Sequence, residues 1–506
     1  MQKKINTSNI KKIIKKKCKE LFTGWNSFTK SEKKEIINDA FKEYINTKES
    51  YQQETYTYEE LIGIENQSCY DKIIPLNEME AFIEGVNYHN VFNLTNYQGK
   101  NYINCPELKL IDDLLDDKVL DALLSYEGYS PNMRDIKLNQ LLRAELLKTI
   151  KYPEISYRKF CTNQYFGMHQ KENKDFVNLS IIKNNIIHHT QLSKFRNKLD
   201  FHNLVNILVY VIFLFKQKGF LDDGLIHGID STDLSITDQA LLGSIEIDGK
   251  KINIYNDLNA DCGKRRNKKD KSTFFIGYRM HTLTAINPDN GHNYPLISLL
   301  APANHHDSLF AHPLLILAKA IGLDVKLVTA DEAYNDNNAD IYNDTGVTLI
   351  TPCKSKVKTP DFVDIKCKQV FCNKNCEFPM EYLGTTDDNH HEFKCNAKWG
   401  ECPFAGSCPR YRFIPFDSGY FQRIIFFLEH AESAVDIRKN SERPFNLLKN
   451  REGLKETRAK SQHGILARCT FAQMATLLIE MAGTRKKKKH NANRKIEKKL
   501  PFPIAA

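Results

Sequence analysis

The segment DVKLVTADEAYND (residues 324–336) contains an apolar strand pattern that is followed directly by an acidic turn. Asp331 stands at the carboxyl end of the apolar run. An earlier segment, HGIDSTDLS (residues 227–235), places Asp230 at the end of a short apolar approach. Functional groups of open α/β sheets gather at the carboxyl ends of strands, so both aspartates are candidate site residues.

The sequence around these two segments alternates between strand and helix patterns. Helical spacing is found in HDSLFAHPLLILAKAIG (residues 306–322) and, more weakly, in EAYNDNNADIYNDTG (residues 332–346). Strands followed by helices predict a mixed α/β sheet with crossover connections. The other strand patterns are KINIYNDL (residues 251–258), FFIGYRMHTLTAIN (274–287), YPLISLLAPAN (294–304) and VTLITP (347–352).

At 506 residues the chain is long enough for several folding units. A helical N-terminal part precedes the α/β core, which a cysteine-rich, turn-rich insertion interrupts, and a basic tail follows. The predicted divisions are 1–106 (mainly helical), 107–220 (helical, for DNA binding), 221–352 (first part of the core), 353–412 (insertion), 413–482 (second part of the core) and 483–506 (tail).

Composition and charge limit the classes of protein that fit. The chain is 41% hydrophobic and 26% charged, as ordinary globular proteins are. Its apolar run from Leu204 to Phe215 is too short to cross a bilayer, and its lysine-rich start is no secretory signal. We therefore expect a cytoplasmic protein with no membrane contact, associated with the nucleoid when bound to DNA.

Positive charge is concentrated in two places within a net charge of +10. Residues 485–499 hold nine basic residues against one acid, and Lys264 to Lys271, which includes Arg265 and Arg266, holds six against one. Such segments can bind a phosphate backbone through counterion release. The alternative is a solvated tail and a solvated loop.

Glu442, in DIRKNSERPFNLLKN (residues 436–450), is the candidate for a third acid. On a predicted helix, Arg438 four residues before it and Lys449 seven residues after it would share its face. An ordinary surface ion pair would show the same spacing. Other glutamates nearby lack both basic companions at these intervals; they are Glu429, Glu432, Glu452 and Glu456.

Six of the thirteen cysteines fall between residues 367 and 408, within the predicted insertion: Cys367, Cys372, Cys376, Cys395, Cys402 and Cys408. The odd total and the absence of a signal peptide favour reduced thiols or metal ligands over disulfides. The spacings lack the tight pairs typical of structural zinc sites, so zinc ligation and a set of buried thiols both remain open.

Taken together, these motifs resemble those of the DDE-type transposases of bacterial insertion sequences, over residues from about 121 to 481. GIDSTDLS resembles the first-aspartate motif, and LVTADEAYND resembles the second, with Tyr334 as its aromatic residue. RKNSERPFNLLK fits the final motif of Arg438, Glu442 and Lys449. Where the related signature places a Tyr three residues before the Arg, this chain has Val435, which we interpret as the loss of a supporting DNA contact.

The resemblance implies a ribonuclease H-like core with flanking helices and an enzyme that cuts DNA and transfers the strand. It implies that Asp230 bridges two Mg²⁺ ions, for which Mn²⁺ may substitute, and that Asp331 and Glu442 complete the two sites. The expected partners are terminal inverted repeats, target DNA and a second copy of the chain. The expected DNA contacts are Arg438, Lys449, Tyr334, Lys264, Arg265 and Arg266.

Two alternatives remain open from the sequence. A DNA nuclease would use the same acids for cleavage without strand transfer. A domesticated, non-catalytic relative would bind DNA through its helical part, cysteine cluster and basic tail, and would not need the three acids.

Overall fold

The computed structural model is described for the following residues: 14–15, 27–53, 71–89, 100–102, 104–125, 136–162, 170–179, 187–221, 226–237, 239–247, 250–266, 272–287, 292–334, 340–351, 361–364, 369–373, 376–388, 390–397, 401–404, 407–415, 440–451, 453–456 and 461–483.

The described strands are β1 (Ile226–Ser235), β2 (Leu241–Ile247), β3 (Lys250–Tyr255), β4 (Asp261–Arg266), β5 (Ser272–Ile286), β6 (Asn293–Pro302), β7 (Leu327–Ala330), β8 (Thr348–Ile350), β9 (Val363–Asp364), β10 (Gln369–Val370), β11 (Met380–Thr385), β12 (His390–Cys395) and β13 (Tyr411–Pro415).

A six-stranded mixed sheet forms the centre of the protein. Strands β1, β5 and β6 are antiparallel neighbours, and β7 and β8 extend the sheet on the other side of β1, both in parallel. The long strand β5 pairs with β4 through its first half and with β6 through its second half. Strand β1 is therefore where the sheet changes from antiparallel to parallel pairing, and the predicted mixed α/β class is confirmed.

The described α-helices precede, connect and follow these strands: Lys30–Gln53, Leu76–His89, Pro106–Asp112, Asp117–Leu123, Leu138–Lys151, Tyr157–Thr162, Lys171–Phe176, His189–Lys198, Phe201–Gln217, Ala311–Ala320, Asp340–Thr345, Arg443–Asn446 and Gln462–Met481. Single turns of 3₁₀-helix lie at Asp307–Leu309, Glu332–Tyr334 and Leu454–Glu456, and a π-helical turn lies at Leu447–Arg451. The segment 332–346, which has a helix-like sequence pattern, thus contains the 3₁₀ turn Glu332–Tyr334 and the short helix Asp340–Thr345.

The last helix, Gln462–Met481, lies along β6 and also packs against Phe201–Gln217. Polar contacts hold both of its ends: Gln462 Nε2 donates to the Leu300 carbonyl at 2.9 Å, and His292 Nδ1 lies 2.6 Å from a Glu480 carboxylate oxygen. This helix and the bent pair His189–Lys198 and Phe201–Gln217 are apolar and long enough to span a membrane. The apolar window of Gln462–Met481 is 94% buried, as in the core helix of a folded domain.

A buried ionic cluster joins the helical part to the sheet domain. The Glu145 carboxylate is fully buried on the helix Leu138–Lys151, where it accepts a hydrogen bond from Arg196 and lies 3.7 Å from Arg468. Arg468 belongs to the last helix and also donates to Thr149 Oγ1 at 3.0 Å. One carboxylate therefore neutralises guanidinium groups from two other helices.

The insertion contains more regular structure than its turn-rich sequence predicts. Strands β9 and β10 form one small sheet, and β11, β12 and β13 form another. Strand β13 ends at Pro415, slightly beyond the predicted boundary at 412. Around these sheets lies a separate small core, which consists of Val363, Val370, Cys372, Cys376, Met380, Phe393, Cys395 and Ile414.

We expect Glu145→Ala to lower the free energy of unfolding by about 3–5 kcal/mol, because it leaves two guanidinium groups buried without their counter-charge. Lys109→Ala is the control, since it removes an exposed ion pair with Asp113 that contributes about 0–1 kcal/mol. Urea unfolding followed by circular dichroism measures both. A Glu145→Ala protein as stable as Lys109→Ala would show that the cluster does not hold the two parts together.

Candidate active site

Asp331 directly follows β7, and Asp230 lies beside it within the adjacent parallel strand β1. Strand β1 pairs with β7 in a register that sets Ile229 beside Ala330. The next residue of each strand is an aspartate, and neighbouring strands are about 4.8 Å apart. Both side chains are half-buried. The sequence prediction that these two residues follow strands is therefore confirmed for β7, whereas β1 continues beyond Asp230 to Ser235.

Backbone amides hold each carboxylate in place. The Ser231 N–H donates to Asp230 Oδ1 at 2.8 Å, and the Ala333 N–H donates to Asp331 Oδ1 at 2.8 Å. The second bond belongs to the 3₁₀ turn Glu332–Tyr334 that begins directly after β7. This short turn therefore orients the Asp331 carboxylate and ends at Tyr334, three residues later.

Glu442 reaches the same face of the sheet through its neighbour Ser441. Side chains alternate along a strand, so Gly228 and Asp230 face the same side. A Cβ atom on Gly228 would lie 2.7 Å from Ser441 Cβ, and Ser441 is fully buried. Glycine at 228 therefore lets the segment that carries Glu442 pack directly on β1, two residues before Asp230.

Glu442 itself is exposed and is the N-cap residue of the short helix Arg443–Asn446. The predicted longer helix through Glu442 is not observed, because Asn440 to Glu442 form a turn, so helical spacing does not relate Glu442 to Arg438. Across the described parts of the chain, no three His, Cys, Asp or Glu side chains are close enough to hold one metal ion together. The structure thus pairs two of the acids, and the segment that carries the third packs on β1 through Ser441.

A polar network lies on the opposite face of β1, beneath the two aspartates. Ser231 Oγ donates to Asp307 Oδ2 at 3.3 Å, and Arg279 donates to Asp307 Oδ1 at 2.7 Å. The Tyr334 hydroxyl is hydrogen-bonded to Ser231 and, at 2.7 Å, to His281 Nδ1. These contacts connect β1, β5 and the turns after β6 and β7, so they fix the strand ends that carry the acids.

Two buried rings complete this network. The Tyr334 side chain is 1% exposed, and His281 is fully buried and stacked on Phe310 at a centroid distance of 4.0 Å. Burial, and then the carboxylates of Asp307, Asp230 and Asp331, raise the pKa of Tyr334 well above its ordinary value. Tyr334, predicted to contact DNA, therefore lies below the sheet surface as an uncharged support for the site.

Other predicted site residues lie further from the acids or outside the described residues. Lys264 is exposed on β4, and its carbonyl accepts a hydrogen bond from Arg279 Nη2 at 3.0 Å. The backbones of Arg265 and Arg266 continue β4, so part of the predicted basic loop is a strand. Lys449 is half-buried in the π-helical turn. Arg438, Cys367 and the basic tail lie outside the described residues.

The sequence interpretation missed Arg279, His281 and Ser231 as site residues. Arg279 and His281 lie in a strand of the predicted sheet, where they alternate with Tyr278 and Met280. A detectable signal was that Arg279 and His281 interrupt an otherwise apolar and β-branched strand. Their partners become apparent only when β1 and β5 are paired, with Asp233 opposite Arg279 and Ser231 opposite His281.

The fold and the site together define a mixed α/β protein with an acidic pair at its strand ends. No family model matches the chain, and no curated protein matches it. Among solved structures, a piggyBac transposase synaptic complex with hairpin DNA is similar at 11% identity and a TM-score of 0.24, covering 78% of this chain and 84% of that chain. A similarity at this TM-score does not establish a shared fold or function.

We expect His281 to make stability depend on pH. Burial lowers the pKa of His281 to about 3, whereas an unfolded histidine titrates near 6.5. Its neutral form stabilises the fold fully above about pH 6.5, and this contribution falls by about 1.4 kcal/mol per pH unit as the pH decreases toward 3. Urea unfolding of wild type and His281→Gln between pH 7.5 and 5 should show a shallower decrease in the variant. His306→Gln, at an exposed site, should keep the wild-type slope; an unchanged slope for His281→Gln would contradict the prediction.

Proposed function

We propose that this chain is a DDE-type transposase that cleaves DNA and transfers the freed strand by metal-dependent chemistry. The observation that carries the proposal is the adjacent placement of Asp230 within β1 and Asp331 directly after the parallel strand β7, with Glu442 on a segment that packs on β1 through Ser441. Three acids separated by about a hundred residues each thus belong to segments that meet at β1.

The topology supports a ribonuclease H-like core as part of this proposal. Three antiparallel strands, β6, β5 and β1, are followed on the far side of β1 by the parallel strands β7 and β8. The chain supplies the first acid from the central strand, the second from its parallel neighbour and the third from a late segment packed on that central strand. Each acid thus comes from a different part of the fold.

The donor set fits Mg²⁺ or Mn²⁺. Carboxylate oxygens are the ligands that these hard cations prefer, and Asp230 and Asp331 already present two of them side by side. When bound, a pair of such ions activates the attacking oxygen and stabilises the leaving oxygen of a phosphodiester. Asp230 would contact both ions, and Asp331 and Glu442 would each complete one site.

The remaining residues hold this arrangement and bind the substrate. Ser231, Asp307, Arg279 and Tyr334 fix the strand ends from below, which limits the movement of both aspartates. The exposed Glu442 lies at the protein surface, where a DNA phosphate can approach. Lys264, Arg265 and Arg266 on β4 would attract the DNA backbone, and Lys449 and Arg438 would contact DNA near Glu442.

Two element ends must be cut in concert, so we propose that a homodimer brings two such sites to the terminal inverted repeats and the target DNA. The proposed location is the cytoplasm, with the nucleoid as the place of action. Duplexes made from the DNA that flanks the gene are the first substrates to test, because inverted repeats there would be the element ends.

We expect Asp230→Asn and Asp331→Asn to reduce Mg²⁺-dependent cleavage of these duplexes at least about a thousandfold, and Glu442→Gln to do so comparably, because each removes a metal-binding charge. Glu332→Gln is the matched control: it neutralises the exposed acid next to Asp331 and should leave cleavage intact. Labelled duplexes resolved on gels measure both cleavage and joining. Cleavage without joined products would identify a nuclease, and full activity in all three variants would identify a non-catalytic DNA-binding protein.

Gly228→Ala tests the contact that positions Glu442. The added methyl group would lie 2.7 Å from Ser441 Cβ and must displace the segment that carries Glu442. A displacement of about 1 Å can lower a rate about a hundredfold, so we expect cleavage to fall by that order while the fold persists. Gly243→Ala is the control, because a Cβ there meets no atom within 4 Å. Equal activity of the two variants would show that the Gly228–Ser441 contact does not position Glu442.

A further inference from the structure

Two turns of the insertion bring four cysteines together. Cys372 and Cys376 lie on the turn that follows β10, and Cys402 and Cys408 lie on the segment before β13. The Cys376 N–H donates to the Asn373 carbonyl at 3.3 Å, and the Cys408 N–H donates to the Phe404 carbonyl at 3.1 Å, so each pair belongs to a locally closed turn. Turns from opposite ends of the insertion thus face each other through their thiols.

Cys372 and Cys376 are buried in the small core of the insertion, and Cys408 packs against that core. Burial and the neighbouring thiols of Cys376 and Cys408 raise the pKa of Cys372 to about 12, and the same two thiols act on Cys402, so the four side chains lie near one another. All four are free cysteines. A backbone hydrogen bond from Phe404 lowers the pKa of Cys402, but burial and the thiols of Cys376 and Cys408 together raise it above its ordinary value.

The small core of the insertion shows why such a cluster would matter. Three of its eight buried side chains are cysteines, and the strands around it are only two to six residues long. Domains of this size bury too little apolar surface for independent stability, and they commonly depend on a metal or on disulfides. The thiol cluster joins the two ends of the insertion, where a crosslink would stabilise it most.

We propose that Cys372, Cys376, Cys402 and Cys408 bind one structural Zn²⁺ ion. Each thiol would lose its proton to solvent and form one zinc–sulfur bond, so four protons are released for each ion bound. Zinc–sulfur bonds of about 2.3 Å in a tetrahedron hold the sulfur atoms about 3.8 Å apart. In the described structure no three of these side chains converge on one metal position. Binding would therefore draw the four thiols toward a common centre.

The geometry distinguishes these four cysteines from the others of the insertion. Cys395 lies on β12, opposite Met380, and its backbone N–H donates to the Arg410 carbonyl at 2.9 Å. Its side chain packs in the same small core as Cys372 and Cys376, but it comes from a strand rather than from either turn. The nearby His391 ring is hydrogen-bonded through Nδ1 to the Tyr382 hydroxyl at 2.9 Å. The site thus takes sulfur ligands from both turns and none from the β11–β13 sheet.

The test is the zinc content of the full-length chain, purified under reducing conditions and measured by elemental analysis. We expect about one zinc per wild-type chain, and less than a tenth of that in Cys372→Ser and Cys408→Ser, which each remove a ligand from a different turn. Cys395→Ser is the matched control from the same core and should retain the zinc. Asp230→Asn should also retain it, because the zinc site is independent of the proposed catalytic site.

Co²⁺ substitution keeps the test decisive if a serine variant folds poorly. Wild-type protein loaded with Co²⁺ should show the intense visible and near-ultraviolet bands of a four-thiolate tetrahedral site, and chelation should lower its melting temperature. A wild-type chain without zinc, or one whose four cysteines resist thiol reagents until reduced, would overturn the proposal in favour of buried thiols or disulfides. Equal zinc loss in Cys395→Ser would overturn the ligand assignment.

Discussion

The parallel pairing of β1 with β7 is the constraint on which the candidate site depends. It sets Ile229 beside Ala330, so the next residues place two carboxylates on neighbouring strands. Two negative charges about 4 Å apart repel by about 1 kcal/mol in water and by more in a protein. The backbone amides of Ser231 and Ala333 offset part of this repulsion, and a bound cation would offset the rest.

Rigidity of this acidic pair comes from the other face of the sheet. The chain of hydrogen bonds from His281 through Tyr334 and Ser231 to Asp307 and Arg279 connects two strands and two turns. Buried polar networks of this kind fix one arrangement, because any displacement leaves a polar group without its partner. Catalytic geometry on the exposed face would thus be maintained by residues that never meet the substrate.

The third acid depends on a different kind of contact. Glu442 comes from a segment that follows the insertion, and only the packing of Ser441 on Gly228 brings that segment to β1. The insertion has its own core and its own sheets, so it can fold without altering the strands that precede it. This separation explains how a long insertion can stand between the second and third acids.

The local pattern of residues by itself predicted the mixed α/β class, the strands around residues 251–258, 274–287, 294–304 and 347–352, and the position of Asp331 after a strand, because apolar periodicity and turn residues act over a few positions. It did not predict β2 or β4, the strands of the insertion, the burial of Tyr334 or the turn at Glu442. Those features depend on which distant strands pair and which residues pack together. Only the tertiary structure determines such contacts, because no local spacing records them.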